Sequence, residues 1–324
     1  MAEWLIEQGI GEDRAILLEN GEIAAARVQW PDAICSGMIA SARLLSRPRG
    51  ATRGTALLAS GAEVLVDRLP ASAIEGSTLT IEITRPALSE GTRIKRAQGR
   101  ATDAAARPAP SLEQRLAAEG HQARIVHRFP EGDWDGLMAE AFAREAAFTG
   151  GALVFSPTPA MLLVDVDGTL SPASLALAAV RPLADALRRF DIGGSIGIDF
   201  PTLAAKDDRR AVDTALTAAL AGWPHEQTAM NGFGFIQLVA RLERPSLLHL
   251  AAHRTAAAAW RQVLRRAEAL EGAGAIELVI NPVLDREADT AMIAELARRT
   301  GREVRLRRDP ALAPEAPHAQ MVPR

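Results

Sequence analysis

Residues 161–200, MLLVDVDGTLSPASLALAAVRPLADALRRFDIGGSIGIDF, constrain the fold more than any other stretch. Met161 to Val166 is a mainly apolar run that ends in acids, and a turn through Gly168 follows. From Ser174 to Arg189, the residues Leu175, Ala178, Ala179, Leu183, Ala186 and Leu187 recur at close to helical spacing, with Arg188 and Arg189 placed for the last turn. Gly193-Gly194 stops that helix, and Ile196, Ile198 and Phe200 carry a second strand. Strand, helix and strand in this order predict a βαβ unit with parallel strands and a right-handed crossover. Asp165 and Asp199 then lie at the carboxyl ends of neighbouring strands, where open α/β sheets place their chemistry. Carboxylates crowded on apolar strands repel one another and are costly to desolvate unless something offsets the charge. A divalent cation is the simplest such partner, and hard oxygen ligands suit magnesium, with manganese able to substitute.

Before this unit the chain reads as short strands: Trp4 to Glu7, Arg14 to Leu18 and Glu22 to Val28, with Asn20-Gly21 as a hairpin turn. Further strands over 37–45, 54–59, 63–66 and 79–84 have the even spacing of a small barrel or meander. Residues 86–111 are polar, alanine-rich and broken by Pro86, Pro108 and Pro110, which reads as a partly mobile linker. Within it, residues 91–107 carry Arg93, Lys95, Arg96, Arg100 and Arg107 against Asp103, so the stretch is either a solvated linker or a phosphate-contacting patch. Ser111 and Gln114 form a capping box for a helix over 111–119, and a helix over 133–147 follows. Gly150-Gly151 turns into a strand over 152–156 that pairs with the Asp165 strand as a hairpin. After Asp199 the pattern predicts a helix over 207–221, a strand or loop over 227–233, and a helix running on through Arg241 to Pro245. A helix over 255–271, a strand over 275–280, a helix over 286–300 and a strand over 303–307 form a separate small α/β module.

At 324 residues and 48% apolar, the chain supports a sizeable core and two or three domains. No apolar run reaches membrane-spanning length, and Met-Ala-Glu-Trp does not begin a signal peptide. The single cysteine, Cys35, excludes an intramolecular disulfide and a cysteine-based zinc site, so a reducing cytoplasm is the expected compartment. A net charge of −3 gives no global attraction to nucleic acid, so such binding would rest on local patches.

Two families share features with the central aspartates. Val164-Asp165-Val166-Asp167-Gly168-Thr169-Leu170 resembles the first motif of haloacid-dehalogenase-like phosphatases, which would make Asp165 a nucleophile and Asp167 an acid/base. That family's next strand should end in Ser or Thr, whereas Ile198 is followed by Asp199, and the Lys206-Asp207-Asp208 cluster sits too close in sequence to supply its later lysine and acidic pair. The longer stretch from Leu187 to Phe200, LRRFDIGGSIGIDF, resembles the ribonuclease E/G family signature. In the same order, Ala139 to Glu145, Leu163 to Gly168, Arg209 to Asp213, Asn231 to Phe235 and Arg244 to Leu247 are similar to further segments of that family. The likeness is strongest over 136–247 and fainter in the opening strands, the barrel and Asp309 to His318.

The ribonuclease E/G resemblance implies a metal-dependent endoribonuclease. Asp165 and Asp199 would bind magnesium, which presents an activated water to a phosphodiester of single-stranded RNA and leaves 5′-phosphate and 3′-hydroxyl ends. Asp167 stands where the family has an asparagine that orients the first aspartate, and as a carboxylate it would be a third ligand or a support. Several features depart from the family. The cysteine pair of its zinc link is missing, with His249 and His253 nearby at i, i+4. The 5′-phosphate sensor is reduced to roughly 100–135, and barrel aromatics are replaced near Leu57, Leu58 and Val66. RNA contacts would therefore lean on Lys95, Arg96, Arg209, Arg210 and Arg241. Loss of the zinc bridge argues against a tetramer and leaves a homodimer open. The expected class is α/β, α+β overall. A β-rich region with a reduced OB-like barrel occupies 1–90, a linker with a short helix 91–132, a mixed nuclease-like metal-binding domain 133–250, and a small α/β domain 251–324. Two rival functions remain: an RNA-binding homologue with weak or lost cleavage, and a phosphatase acting through Asp165.

Overall fold

The computed structural model describes residues 3–31, 34–90 and 93–324. Met1 and Ala2 of the opening, Gly91 and Thr92 of the expected linker, and the side chain of Arg93 lie outside the described residues. Strands β1 (Trp4–Gln8), β2 (Asp13–Glu19) and β3 (Glu22–Gln29) match the expected short strands, with Asn20 and Gly21 at positive φ in the hairpin turn. The chain then runs through β4 (Ile39–Ser46), β5 (Gly54–Leu58), β6 (Glu63–Asp67) and β7 (Thr78–Arg85), a small hairpin of β8 (Leu88–Glu90) and β9 (Arg93–Lys95), and β10 (Ala97–Ala101). The barrel is closed and five-stranded, in the order β10-β6-β5-β4-β7.

The linker expected over 86–111 is therefore corrected in its first part, because β10 pairs parallel with β6 and antiparallel with β7 to close the barrel. Its buried positions are Ala97 and Gly99, so the strand carries almost no hydrophobic alternation to read. A Cβ on Gly99 would sit 2.9 Å from the Glu82 carbonyl, so the closure needs a residue without one. The boundary drawn at residue 90 is corrected too. After α1 (Leu112–Ala118), β11 (Ala123–Val126) returns to pair parallel with β1, giving the sheet β11-β1-β2-β3 with the barrel inserted into it.

Next come α2 (Trp134–Ala143), β12 (Glu145–Phe148), β13 (Gly151–Pro157), β14 (Leu162–Gly168), α3 (Pro172–Arg189), β15 (Gly194–Asp199), α4 (Lys206–Ala219), β16 (His225–Gln227) and β17 (Phe235–Ala240). Their strands make a six-stranded sheet in the order β12-β13-β14-β15-β17-β16. The β14/β15 pair is parallel, as the βαβ reading requires, while its outer neighbours pair antiparallel. Two helix expectations are corrected. Arg144 takes a left-handed conformation and stops α2, which frees Glu145–Phe148 to pair with β13. The helix expected to run through Arg241 is instead β17, whose Ile236 and Leu238 are buried between the less buried Phe235, Gln237 and Val239.

The buried side chains of α3 lie in one core with Val164, Val166, Ile196, Ile198, Ile236 and Leu238 of the central sheet and with Leu5, Ile16, Ile23 and Val28 of the first sheet. Its alanines let both sheets approach closely. The chain ends with α5 (Leu247–His253), α6 (Thr255–Glu268), β18 (Ala275–Ile280), a 3₁₀ turn at Pro282–Arg286, α7 (Thr290–Thr300), β19 (Val304–Arg308) and β20 (His318–Val322). This terminal α/β unit has its own core around Trp260, Ile276 and Leu278. No helix among the described residues is long and apolar enough to cross a membrane. The fold is mixed α+β.

Candidate metal and nucleic-acid site

The central sheet is covered on one face by α3, and on its other face Leu163, Asp165, Asp167 and Asp199 are exposed. Along β14 the side chains alternate: Val164 and Val166 are buried, while Leu163, Asp165 and Asp167 are exposed. On β15, Ile196 and Ile198 are buried and Asp199 is exposed. Register then sets the site. Asp165 is the direct partner of Asp199 across the parallel pair, Val154 stands opposite Asp165 on β13, and Phe235 stands opposite Asp199 on β17. Directly opposed residues share a face, so Val154, Asp165, Asp199 and Phe235 form one row on the open side. Asp167, two residues further along β14, points the same way.

Neighbouring strands lie about 4.8 Å apart, which brings the two aspartates within reach of a shared cation and its waters. The charge is uncompensated in the fold. Partial burial, followed by the negative charges of Asp167 and Asp199, pushes the Asp165 carboxyl above the usual aspartate range. Among the described residues no three His, Cys, Asp or Glu side chains close into a metal cluster, so the site is a carboxylate row rather than a finished cage. Asp165 and Asp199 fit a hard cation that keeps most of its water; a dehydrated ion with a full protein shell does not fit.

The five expected RNA-contacting cations do not gather in one patch. Arg209 donates to the Leu203 and Ala204 carbonyls and so holds the loop that follows Asp199. Arg210 is exposed beside Asp207 at 3.5 Å, at the same end of the sheet. Lys95 lines a cleft with Gly193, Ser195 and Leu242, at the start of β15 and roughly 13 Å along the strand from Asp199, taking about 3.3 Å per residue. Arg241, next to Leu242, is exposed beside Glu243 at 2.9 Å, and Arg96 lies 3.3 Å from Glu63 on the barrel. Arg209 and Arg210 thus stand near the Asp199 end of β15, Lys95 and Arg241 near its start, and Arg96 on the barrel.

His249 and His253 do meet on α5, with ring centroids 4.9 Å apart. Burial, then the charges of His253 and Lys95, lowers the His249 pKa to about 4, so at neutral pH it is uncharged. The Lys206-Asp207-Asp208 cluster occupies the exposed first turn of α4. Phe235 is a site residue that the charges and motifs of the sequence do not mark. The alternation of Ile236 and Leu238 would have placed it beside Asp199, had that segment been read as a strand.

No family model matches the chain, and no curated protein matches it significantly.

Proposed function

We propose that this protein is a magnesium-dependent endoribonuclease acting on single-stranded RNA, its six-stranded sheet serving as a nuclease domain and its barrel as an RNA-binding module. The observation that carries this reading is the in-register Asp165–Asp199 pair, both exposed, with neither carboxylate in a salt bridge among the described residues. The collinear resemblance to ribonuclease E/G supports it over a phosphatase acting through Asp165. Magnesium, or manganese in its place, would supply a Lewis acid and an activated water at the phosphodiester. Asp165 and Asp199 hold that cation. Magnesium commonly takes one or two carboxylates plus substrate phosphate, so a two-acid site meets its needs. Asp167 adds negative charge at the edge of the row and biases the orientation of Asp165. Arg209 positions the loop behind Asp199, while Lys95, Arg96, Arg210 and Arg241 attract the RNA backbone from the flanks. Products would carry 5′-phosphate and 3′-hydroxyl ends.

The test is incubation with labelled single-stranded RNA and Mg²⁺, alongside Asp165→Asn and Asp199→Asn. Cleavage by the wild type that both variants lose supports the reading; equal cleavage by all three removes it. One observation favours a second reading, an RNA-binding protein with cleavage lost: the described residues hold no compact three-ligand cluster. That reading predicts salt-sensitive RNA binding with turnover at background.

A further inference from the structure

The chain has thirteen aromatic residues, eight Phe and five Trp. All are described, and only one is exposed: Phe233, at 81%. A single exposed apolar side chain is ordinary on a protein surface. Phe233 differs because of how its backbone is held and what it stands beside.

The turn from Asn231 to Phe235 is fixed on every side. The Asn231 carboxamide oxygen accepts from the backbone N–H of Phe233 at 2.9 Å and of Phe235 at 3.1 Å. Gly234 N–H donates to the Asn231 carbonyl at 3.2 Å, and Asn231 N–H donates to the Phe235 carbonyl at 3.0 Å. The turn is also tied to the residues that follow Asp199: Phe200 N–H donates to the Gly234 carbonyl, and the Thr202 hydroxyl donates to the Phe233 carbonyl, both at 3.2 Å. Gly234 has φ +94°, and a Cβ there would lie 2.3 Å from the Phe200 carbonyl oxygen. Only glycine lets the turn press this closely against the segment that carries Asp199. The backbone beneath the Phe233 ring is therefore locked to the carboxylate row.

A second ring stands in the acid row itself. Phe235, half-buried in the same row as Asp199, lies over Gly197: a Cβ on that glycine would meet the ring at 2.5 Å, the Met161 sulfur at 2.9 Å and the Leu163 side chain at 3.0 Å. The open face thus carries a π-surface at the edge of an uncompensated acid row.

We propose that Phe233 and Phe235 form a base-stacking platform that receives an unpaired nucleobase of the RNA strand whose phosphodiester sits at Asp165 and Asp199. This rests on the nuclease reading above. A protein partner covering the rings would also have to desolvate the three exposed carboxylates of the row, which is costly. A nucleotide places a flat π-face on the rings and its phosphate, with a cation, at the acids. Stacking alone reads little sequence, so recognition is base-tolerant and favours purines, which stack more strongly. Because the turn is already ordered, little conformational entropy is lost on binding.

The test uses the full chain, Ca²⁺ in place of Mg²⁺, and a short single-stranded RNA carrying 2-aminopurine. Binding by the wild type should quench the 2-aminopurine. Phe233→Ala should abolish that quenching and weaken binding roughly five- to hundredfold, and Phe233→Trp should restore both. In Mg²⁺, Phe233→Ala should raise KM and leave kcat unchanged. Quenching and affinity unchanged in Phe233→Ala overturn the platform. So does a changed association state in sedimentation with RNA binding intact, which would make the face a contact between copies of this chain. If cleavage depends on Asp165 and Asp199 while Phe233→Ala is silent, the platform fails and the nuclease reading stands. Phe233-dependent quenching without any cleavage leaves the platform standing and removes the nuclease. Absence of RNA binding by the wild type overturns both.

Discussion

Two groups of acids in this molecule have opposite surroundings. In the interior, Glu7 of β1 accepts from Arg14 at 2.5 Å and from Arg265 of α6 at 2.9 Å, and Arg14 also reaches Glu12 at 2.6 Å. All four side chains are buried. On the open sheet face, Asp165, Asp167 and Asp199 are exposed and have one another's charge for company. Burial opposes the charge of Glu7, but the hydrogen bond from Arg265 and the charges of Arg14 and Arg265 outweigh it, and the carboxyl titrates below its usual range. Asp165, far less buried, titrates above its usual range. Compensation, not burial, separates them. The interior group ties the first sheet to the terminal unit, whereas the exposed row keeps mutually repelling charges that the fold opposes.

The comparison breaks first at its strongest point. Arg14→Met removes the buried guanidinium that bridges Glu7 and Glu12, leaving Glu7 with Arg265 and Glu12 with the Trp30 indole N–H, and breaking a buried pair in this way costs roughly 3–5 kcal/mol. Urea denaturation should show a midpoint lowered accordingly; a loss under about 1 kcal/mol would mean that the Arg14 bridge does not hold the buried edge of the first sheet. On the exposed row, Asp199→Asn should leave the urea midpoint within about 0.5 kcal/mol of wild type while reducing RNA cleavage by about 10²-fold or more. A substitution that is silent for folding and severe for activity is the behaviour of a ligand to a cation. Next in size, Mg²⁺ at tenfold above its dissociation constant should stabilise the wild type by about 1.4 kcal/mol through linkage, seen as a raised melting temperature. Asp165→Asn and Asp199→Asn should each lose that response, and a variant that keeps it would place the cation elsewhere.

What the sequence made legible follows the strength of its periodicities. The βαβ unit could be read because β14 is mainly apolar, α3 has its apolar residues at helical spacing, and both ends are punctuated by glycine. That alone put Asp165 and Asp199 on adjacent parallel strands. Barrel closure by β10 could not be read, since its inward residues are Ala97 and Gly99 and packing rather than hydrophobic pattern selects them. Glu145–Phe148 has helical composition, but pairing with β13 outweighs a weak local preference. The interior ion group was illegible for another reason: Glu7 and Arg265 are 258 positions apart, and no local pattern reports a contact of that range. The cations named for RNA were read from charge alone, which cannot tell the loop-holding Arg209 from the exposed Arg210.

The smallest effect, and the most direct contrast, is in pH. Glu7 is more acidic in the folded chain than in the unfolded one, where a glutamate titrates near 4.3. Its contribution to stability is therefore complete above about pH 4.3 and is lost as pH falls through the folded value. Asp165 has the reverse sign: its folded pKa lies above the unfolded value of about 3.9, so the fold resists its ionisation. A penalty sets in as pH rises above about 3.9 and is complete once pH passes the folded value. Urea midpoints followed from acid to neutral pH should thus diverge in opposite directions for two isosteric substitutions. Relative to wild type, Glu7→Gln should lose ground as pH rises, and Asp165→Asn should gain it. Carbon-detected NMR of the carboxyls gives the site-resolved check, with Asp165 titrating above an ordinary aspartate in the apo chain and moving down when Mg²⁺ is added. If Asp165 titrates normally and ignores Mg²⁺, its charge is satisfied by something other than a cation, and the distinction between the two acid groups is lost.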